Sequence, residues 1–276
     1  MDTTLTRTPA GIVLAGVSKH FRMAREGAVT TALEVVSLSI DPGEFVCIVG
    51  PSGCGKSTIL NLLAGLELPS TGLVLLDGVP IRRPGPDRGM VFQEPLLYPW
   101  LNVMDNITFG PSIAGRHPDD YEPAARRLLE TIGLTGFERH KPYELSGGMK
   151  QRVALARAWI GNPKVLLMDE PFAALDAQTR LLMQEQLVTL WESNQHTVVF
   201  VTHDVDEALL LADRIVVMTA RPGRIREDLS VDLPRPRSYE ALIADPHWSE
   251  LKSEVFRLVR EETMKSMQHR SIVSTM

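Results

Sequence analysis

The stretch from Gly50 to Thr58 carries residue types that bind phosphate. It reads Gly-Pro-Ser-Gly-Cys-Gly-Lys-Ser-Thr and follows an apolar run that ends at Val49. Glycines at this spacing let successive backbone N–H groups point inward at an anion, and a helix that starts near Gly55 adds the positive end of its dipole. A plain glycine-rich turn is the alternative. We predict a phosphate loop that binds a nucleotide through Gly50, Pro51, Ser52, Gly53, Cys54, Gly55, Lys56, Ser57 and Thr58.

Three side chains of the phosphate loop have distinct chemistry. Lys56 supplies a positive charge for the β- and γ-phosphates of a nucleotide, and the Ser57 hydroxyl is placed to bind Mg²⁺. Cys54 lies among backbone amides and beside Lys56, which we expect to lower the pKa of its thiol. The other cysteine, Cys47, falls in the preceding apolar run, where a small buried side chain is the simplest interpretation.

A pair of acids follows a second apolar run. Residues 165–168 are Val-Leu-Leu-Met, which is typical of a strand buried on both faces of a parallel sheet, and Asp169 and Glu170 come next. Ligands of α/β sheets bind at the carboxyl ends of the strands. At that edge Asp169 would hold Mg²⁺ and Glu170 would polarise a hydrolytic water. Two acids in a solvated turn are the simpler alternative.

Gln93 and His203 each follow a short apolar strand pattern, at the sheet edge where the phosphate loop is expected. A glutamine there reaches Mg²⁺ or the attacking water, although an ordinary polar loop residue fits equally well. A histidine after a strand is usually structural, but its place on the same edge as Lys56 favours contact with a γ-phosphate. The candidate catalytic residues are Glu170, His203 and Gln93, and the candidate metal ligands are Ser57, Gln93 and Asp169.

A serine followed by two glycines, Ser146 to Gly148, opens a helical pattern of apolar residues. Serine is a favourable N-cap, so a loop that caps a helix accounts for the run by itself. A capped helix N-terminus with two glycines is also a second anion site. Nothing in the phosphate loop of the same chain requires such a site.

The elements that must position these residues read as an α/β fold. Strand patterns at residues 12–17, 33–40 and 45–49 precede the first helix, which indicates an antiparallel sheet that leads into a parallel core. An irregular basic stretch, residues 19–30, lies between the first two strands. Helical spacing runs through residues 102–161 and indicates a helical insertion. Phe21 stands among polar neighbours, either as an anchor for its loop or as a ring on which adenine stacks.

Composition narrows the class of protein. The 276 residues are 44% hydrophobic, which suffices for a full core. They contain no uncharged apolar run of about 18 residues or more, and residues 1–9 are polar. We therefore expect a cytosolic chain that spans no membrane. The formal net charge of −5 lacks the basic footprint of a nucleic-acid binder.

The order of these motifs resembles that of the ATP-binding-cassette ATPases. The resemblance covers residues 10–225, and its most specific part is the Leu-Ser-Gly-Gly-x-x-Gln signature at residues 145–151. It implies ATP and Mg²⁺ as cofactors and a P-loop NTPase fold, with a RecA-like α/β core, an antiparallel β subdomain and an inserted helical subdomain at residues 102–161. It also implies that Phe21 stacks on adenine and that Asp176 lies at the seam of a dimer. The γ-phosphate held by a second copy would bind the signature residues Ser146, Gly147, Gly148 and Gln151.

Further stretches resemble the ATPase subunits of nitrate, sulfonate and taurine importers. They are Glu-Pro-Leu-Leu-Tyr-Pro-Trp-Leu after Gln93, Arg-Pro-Gly-Arg-Ile at residues 221–225, and Asp-Leu-Pro-Arg-Pro-Arg at residues 232–237. This resemblance implies an ATPase that powers import of a small anion at the cytoplasmic face of the inner membrane. Taken alone, the apolar loop after Gln93 either packs internally or forms an exposed patch for a partner. The resemblance implies that it docks on a separate membrane permease and that a solute-binding protein completes the complex. We expect no nucleic-acid partner.

A cassette ATPase that acts on nucleic acid or ribosomes is the alternative within the same superfamily. Such proteins ordinarily carry a long coiled-coil insertion or two cassettes in one chain, and this sequence contains neither. Residues 226–276 are predicted to form a C-terminal extension. It contains an amphipathic helix with Asp245 as N-cap and Pro246 at its first position. We favour a role for this helix as a cap over the core rather than as a regulatory contact.

Overall fold

Ten strands form two sheets in the computed structural model, which describes residues 11–22 and 29–273. The strands are β1 (Ile12–Arg22), β2 (Val29–Ile40), β3 (Phe45–Val49), β4 (Thr71–Leu76), β5 (Val79–Pro80), β6 (Arg88–Val91), β7 (Val165–Asp169), β8 (Thr197–Thr202), β9 (Arg214–Met218) and β10 (Ile225–Ser230). The α-helices are α1 (Lys56–Ala64), α2 (Val103–Ile113), α3 (Glu122–Thr131), α4 (Gly147–Ile160), α5 (Ala177–Asn194), α6 (Val205–Leu211), α7 (Tyr239–Ile243) and α8 (Pro246–Val273).

The larger sheet has the strand order β10-β9-β3-β8-β7-β6, and only β10 runs antiparallel to its neighbour. Its central strand β3 is buried along its whole length. Alternate side chains of β3 enter two different hydrophobic clusters, with Phe45 and Cys47 on one face and Val46 and Ile48 on the other. A strand buried on both faces must be apolar throughout, which explains the continuous run in the sequence.

The smaller sheet is antiparallel, with the order β2-β1-β4-β5. Strands β1 and β2 pair as far as Arg22 opposite Val29, so the prediction of an irregular stretch at residues 19–30 is wrong where the chain is described. Polar residues continue the pairing because they lie at the exposed end of the sheet, where only the backbone ladder is required. Residues 23–28 lie outside the described residues.

The predicted helical insertion comprises α2, α3 and α4. Asn102 caps α2 by accepting a hydrogen bond from the Asp105 N–H at 2.7 Å. Helix α4 packs against α2 and also against β6, so its buried side chains belong to the hydrophobic cluster below the larger sheet. The insertion therefore places α4 against the edge of the parallel core.

The predicted boundary between residues 225 and 226 falls inside β10, which is paired to β9 in the larger sheet. The C-terminal helix α8 begins as predicted, since the Asp245 carboxylate accepts a hydrogen bond from the His247 N–H at 2.9 Å. Trp248, Leu251 and Val255 of α8 are buried in the hydrophobic cluster beside α6, so this helix covers the core. Among the described residues, no helix has the length and apolar character needed to cross a membrane.

Candidate functional site

The phosphate loop joins the end of β3 to the start of α1, as the sequence predicts. Gly55 has φ +100°, and a Cβ atom there would lie 2.5 Å from the Leu33 side chain, so only glycine fits. The Lys56 side chain is 6% exposed, and its Nζ donates to the carbonyl oxygens of Gly50 at 2.8 Å and Pro51 at 3.3 Å. The ammonium group therefore lies inside the loop, where the phosphates of a nucleotide would need it.

Asp169, at the end of β7, faces the first turn of α1. The Ser57 hydroxyl donates to Asp169 Oδ1 at 3.1 Å. Burial raises the pKa of the Asp169 carboxyl above its ordinary value, against the opposing hydrogen bond from Ser57. A hydroxyl and a carboxylate are oxygen ligands of the kind that Mg²⁺ prefers, so this pair fits a magnesium site next to the phosphate loop.

Glu170 follows at once and contacts His203, with His203 Nδ1 at 3.0 Å from Glu170 Oε2. The Glu170 backbone has φ +43°, which is unfavourable for a residue with a Cβ atom, and its N–H donates to the Val201 carbonyl at 2.9 Å. That backbone bond ties the end of β7 to the end of β8. The sheet thereby brings Glu170 and His203 together, although 33 residues separate them in the sequence.

Gln93 lies in an exposed segment two residues after β6. The backbone just before it is held by Gln151, whose Nε2 donates to the Phe92 carbonyl at 3.3 Å. Gln151 itself is buried, so its side chain supports the Gln93 segment from below. This contact links α4 to the loop that carries a candidate metal ligand.

Three of the signature residues, Ser146, Gly147 and Gly148, form a second group with Asp176, whereas the buried Gln151 does not reach the surface with them. Ser146 caps α4 by accepting from the Met149 N–H at 3.3 Å, and Gly147 is exposed. A Cβ atom at Gly148 would lie 3.0 Å from Thr179, at the start of α5. Asp176 caps α5, and hydrogen bonds from Thr179 hold the pKa of its carboxyl below the ordinary value. Within residues 11–22 and 29–273, no hydrogen bond or ion pair joins this group to the phosphate loop.

Comparison with known proteins identifies the family. The family described as ABC transporter matches residues 33–173. The nitrate import ATP-binding protein of Synechococcus elongatus is 49% identical over 226 residues, which cover 81% of this chain and 82% of that protein. The chain belongs to the ABC transporter family.

One further relative and one solved structure are similar to this chain over most of its length. The aliphatic sulfonates import ATP-binding protein of Bacillus cereus is 40% identical over 264 residues, which cover 96% of this chain and 98% of that protein. A dimeric structure of an ATP-binding cassette in a post-hydrolysis state, bound to ADP and phosphate, matches with a TM-score of 0.70 and 34% identity, and covers 81% of this chain and 100% of that one. The chain is thus an ATP-binding cassette whose ATPase activity is coupled to transport, and the predicted fold class is confirmed.

Phe21 of the cassette lies in β1 opposite Thr30, with its side chain 38% exposed. The Lys19 ammonium sits 4.9 Å from the centre of the ring and is itself paired with Glu67. One side of the aromatic ring is therefore already in contact with a cation. Its role as the ring on which adenine stacks stays a prediction.

The expectation of a low pKa for Cys54 is wrong. Burial raises the pKa of this thiol above its ordinary value, and the positive charge of Lys56 offsets only part of that effect. The side chain is buried against the Gly50 backbone. The effect of desolvation on the thiol pKa exceeds that of the Lys56 charge. The phosphate loop packs against β2, which leaves the thiol little access to water. Cys47 is buried as expected.

Several residues that support the site were missed in the sequence. Arg157 of α4 donates to the carbonyls of Pro95 at 3.0 Å and Leu96 at 2.8 Å, and so fixes the loop after Gln93. Gly223 lies between the phosphate loop and β2, where a Cβ atom would come within 1.9 Å of the Cys54 carbonyl. Arg157 could have been found from the sequence, because it is a charged residue among the apolar positions of a helical pattern. The Arg-Pro-Gly-Arg turn was noticed only as part of a family resemblance.

Glu207 was also missed, although it is an acid at an apolar position of α6 and is 5% exposed. Burial raises the pKa of its carboxyl from 4.5 to about 7. A group that binds its proton more tightly in the folded state stabilises the fold at low pH, and that contribution is lost as the pH rises from 4.5 through 7. The Glu207→Gln variant is neutral at every pH. We expect it to match the wild type near pH 4.5 and to exceed its free energy of unfolding by about 3 kcal/mol at pH 8, as measured by urea denaturation across this pH range.

Proposed function

We propose that the cassette hydrolyses ATP to power import of a small anion, as one of two copies on a separate permease. Lys56 binds the β- and γ-phosphates, Phe21 stacks on adenine, and His203 contacts the γ-phosphate. Glu170 accepts the proton of the attacking water, and Gln93 orients that water. Ser57, Asp169 and Gln93 would hold Mg²⁺, which would supply positive charge to neutralise the phosphates. The contacts of Ser57 with Asp169 and of Glu170 with His203 support this assignment.

The observation that carries the proposal is the separation of the two groups of site residues. The phosphate loop, Asp169, Glu170 and His203 form one group, whereas the exposed start of α4 and Asp176 form another. A helix N-terminus with two glycines, of which Gly147 is exposed and Gly148 is half-buried, suits a phosphate. Two copies related by a two-fold axis would each give the phosphate loop to one ATP and the signature to the other. The related cassette with bound ADP and phosphate is described as dimeric.

The loop after Gln93 supports a permease dock. Leu96 and Trp100 have 54% and 68% of their surfaces exposed, although both are large apolar residues. The backbone beneath them is fixed by Arg157 and by Asn106, whose side chain accepts from the Tyr98 N–H at 2.8 Å. An exposed apolar pair on a rigid base is typical of a protein interface. We propose that a short cytoplasmic helix of the permease binds here.

The relatives suggest the transported solute and the location. Proteins named for the import of nitrate and of aliphatic sulfonates align over most of the chain. We propose a small anion of this kind, selected by the permease and a solute-binding protein, with the cassette at the cytoplasmic face of the inner membrane. Uptake by vesicles that contain the whole complex tests this directly. Nitrate, taurine and an alkanesulfonate are the anions to compare, with a cationic solute as control.

Charged substitutions in the dock should uncouple transport from ATP hydrolysis. In Leu96→Glu and Trp100→Glu, we expect the isolated cassette to keep wild-type ATPase activity, because both side chains point away from the core. Binding of the permease and solute uptake should fall at least tenfold, since a buried charge at an interface is costly. Leu97 and Tyr98 are half-buried and pack inside the loop, so they are poorer targets.

Val79→Glu is the matched control, because Val79 is an exposed apolar residue on the antiparallel sheet, away from this loop. Co-purification with the permease and uptake in reconstituted vesicles are the measurements. Loss of basal ATPase activity or of folding in the Leu96 and Trp100 variants would contradict the docking role and would favour internal packing.

A further inference from the structure

A small cavity lies directly behind Glu170 and His203. Arg180, Thr202, Asp204 and Glu207 also line it. The cavity measures about 10 Å³, which is the room that one water molecule needs. It connects the candidate hydrolysis site to α5 and α6, whose polar side chains have no part in the proposed function.

Glu207 is the most buried acid of this cavity. Gln184 of α5 donates to Glu207 Oε1 at 2.9 Å, and the Thr202 side chain also hydrogen-bonds to the Glu207 carboxyl. Thr202 is the last residue of β8 and directly precedes His203. The carboxyl group therefore joins α5 to the strand end that presents His203.

Arg180 completes the arrangement from α5. Its guanidinium donates to the Leu175 carbonyl at 2.9 Å and to Asp204 at 3.5 Å. Its Nε is buried and has no hydrogen-bond partner among the described residues. A buried N–H of this kind needs an acceptor, and the cavity it shares with Glu207 has room for one bridging water.

We propose that Glu207 is a positioning residue for ATP hydrolysis, which acts by fixing the strand end that carries His203 and by holding Arg180 at the shared cavity. Two donors bind this carboxyl group, the Gln184 amide and the Thr202 hydroxyl, and a water in the shared cavity would link Arg180 Nε to it as a third. Only a carboxylate accepts from all three. A protonated carboxyl adds a fourth donor and releases one of them.

The protonation state of Glu207 changes near neutral pH, because burial raises its pKa to about 7. The groups that face it are Asp204 from the turn before α6, Arg180 from α5, Cys47 from β3, and Glu170 and His203 across the cavity. On the side of α8, the Lys252 ammonium is bound to Asp206. The ionised form completes the hydrogen bonds, so hydrolysis should rise with pH through this range.

The inference rests on the proposed function, and kcat measured from pH 6 to pH 8.5 at saturating ATP tests it. For the wild type we expect an inflection near pH 7 and an increase of about fivefold between pH 6 and 8, as a single ionisation gives when the protonated form keeps about a tenth of the activity. Glu207→Gln keeps the shape and the Gln184 contact but cannot ionise. It should show no inflection there, and its kcat at pH 8 should be about tenfold below the wild type, with KM for ATP unchanged within twofold.

Asp206→Asn is the matched control, because this acid lies one residue away on α6 and faces α8 instead of the cavity. Its profile should match the wild type. Gln184→Leu is a second test that keeps Glu207 ionisable. Loss of one donor to the carboxylate should move the inflection to higher pH.

An inflection near pH 7 that persists in Glu207→Gln would overturn the inference. A loss of Glu207→Gln activity by the same factor at every pH would also overturn it, because impaired packing gives that pattern. Glu170→Gln, measured in parallel, separates this outcome from failure of the proposed function. If Glu170→Gln hydrolyses ATP at the wild-type rate, the assigned base is wrong, whereas an inactive Glu170→Gln with a normal Glu207→Gln profile rejects only the positioning role.

Discussion

Lys56→Ala should no longer bind ATP at concentrations that saturate the wild type. The ammonium group is the positive charge inside the phosphate loop, where it now contacts the Gly50 and Pro51 carbonyls. A hydrogen bond to a charged group contributes about 1.5–3 kcal/mol. Contacts with two phosphates are lost together, so affinity should fall on the order of 10²-fold or more. Equilibrium binding of a fluorescent ATP analogue, without hydrolysis, measures this directly.

Lys164→Ala is the control, since it removes one positive charge from an ion pair with Asp77 on another face of the cassette. It should bind ATP like the wild type. Because the Lys56 side chain is buried, thermal unfolding of Lys56→Ala must be compared with both proteins to show that the variant is folded. A folded Lys56→Ala chain with undiminished affinity would mean that nucleotide does not bind at the phosphate loop.

Much of the fold could be predicted because its signals are local. Two such signals are the glycines, lysine and serine after β3 and the apolar run before Asp169. Each lies within about ten residues of sequence. They fix the strand, the turn and the helix start without knowledge of the tertiary structure. The sheet then brings Ser57 to 3.1 Å from Asp169, because strands β3 and β7 lie in one parallel sheet. The carboxyl ends of parallel strands meet at one edge.

The missed residues depend on contacts that no local pattern encodes. Arg157 supports the loop before it from 61 residues away, and Glu207 reaches Gln184 across 23 residues. The pKa of Cys54 was predicted in the wrong direction because charge is visible in a sequence and burial is not. Likewise, the continuation of β1 through Phe21 is set by its pairing with β2, which overrides the polar composition of that stretch.

Glu170→Gln should bind ATP with Mg²⁺ but hydrolyse it far more slowly than the wild type. Its carboxylate lies beside His203, directly after β7, and in the proposed mechanism it takes a proton from water. Glutamine keeps the shape and removes the negative charge. A general base contributes about 10²–10⁴-fold to a rate, and kcat should fall by a factor in that range. Phosphate release measures it, and Glu227→Gln, which changes an exposed acid of β10, is the control.

The same variant tests the proposed ATP sandwich. In the proposed sandwich, hydrolysis separates the two copies, so blocking it should trap them together. Glu170→Gln should be monomeric without nucleotide, shift to a dimer with ATP, and remain monomeric with ADP. Adding Ser146→Arg should prevent the shift, since Ser146 is exposed at the start of α4 and a bulky cation would occupy the second phosphate site. Size-exclusion chromatography with light scattering distinguishes the two states.

The two halves of this prediction fail in different ways. A Glu170→Gln chain that hydrolyses ATP at the wild-type rate shows that another group activates the water. A hydrolysis-deficient chain that stays monomeric at saturating ATP shows that the exposed start of α4 does not complete the site in the isolated protein. The permease would then have to hold the copies together, and the same Ser146→Arg change should abolish ATPase activity in the assembled complex. If the Ser146→Arg variant keeps its ATPase activity in the assembled complex as well, the signature does not bind the γ-phosphate of the ATP held by the other copy.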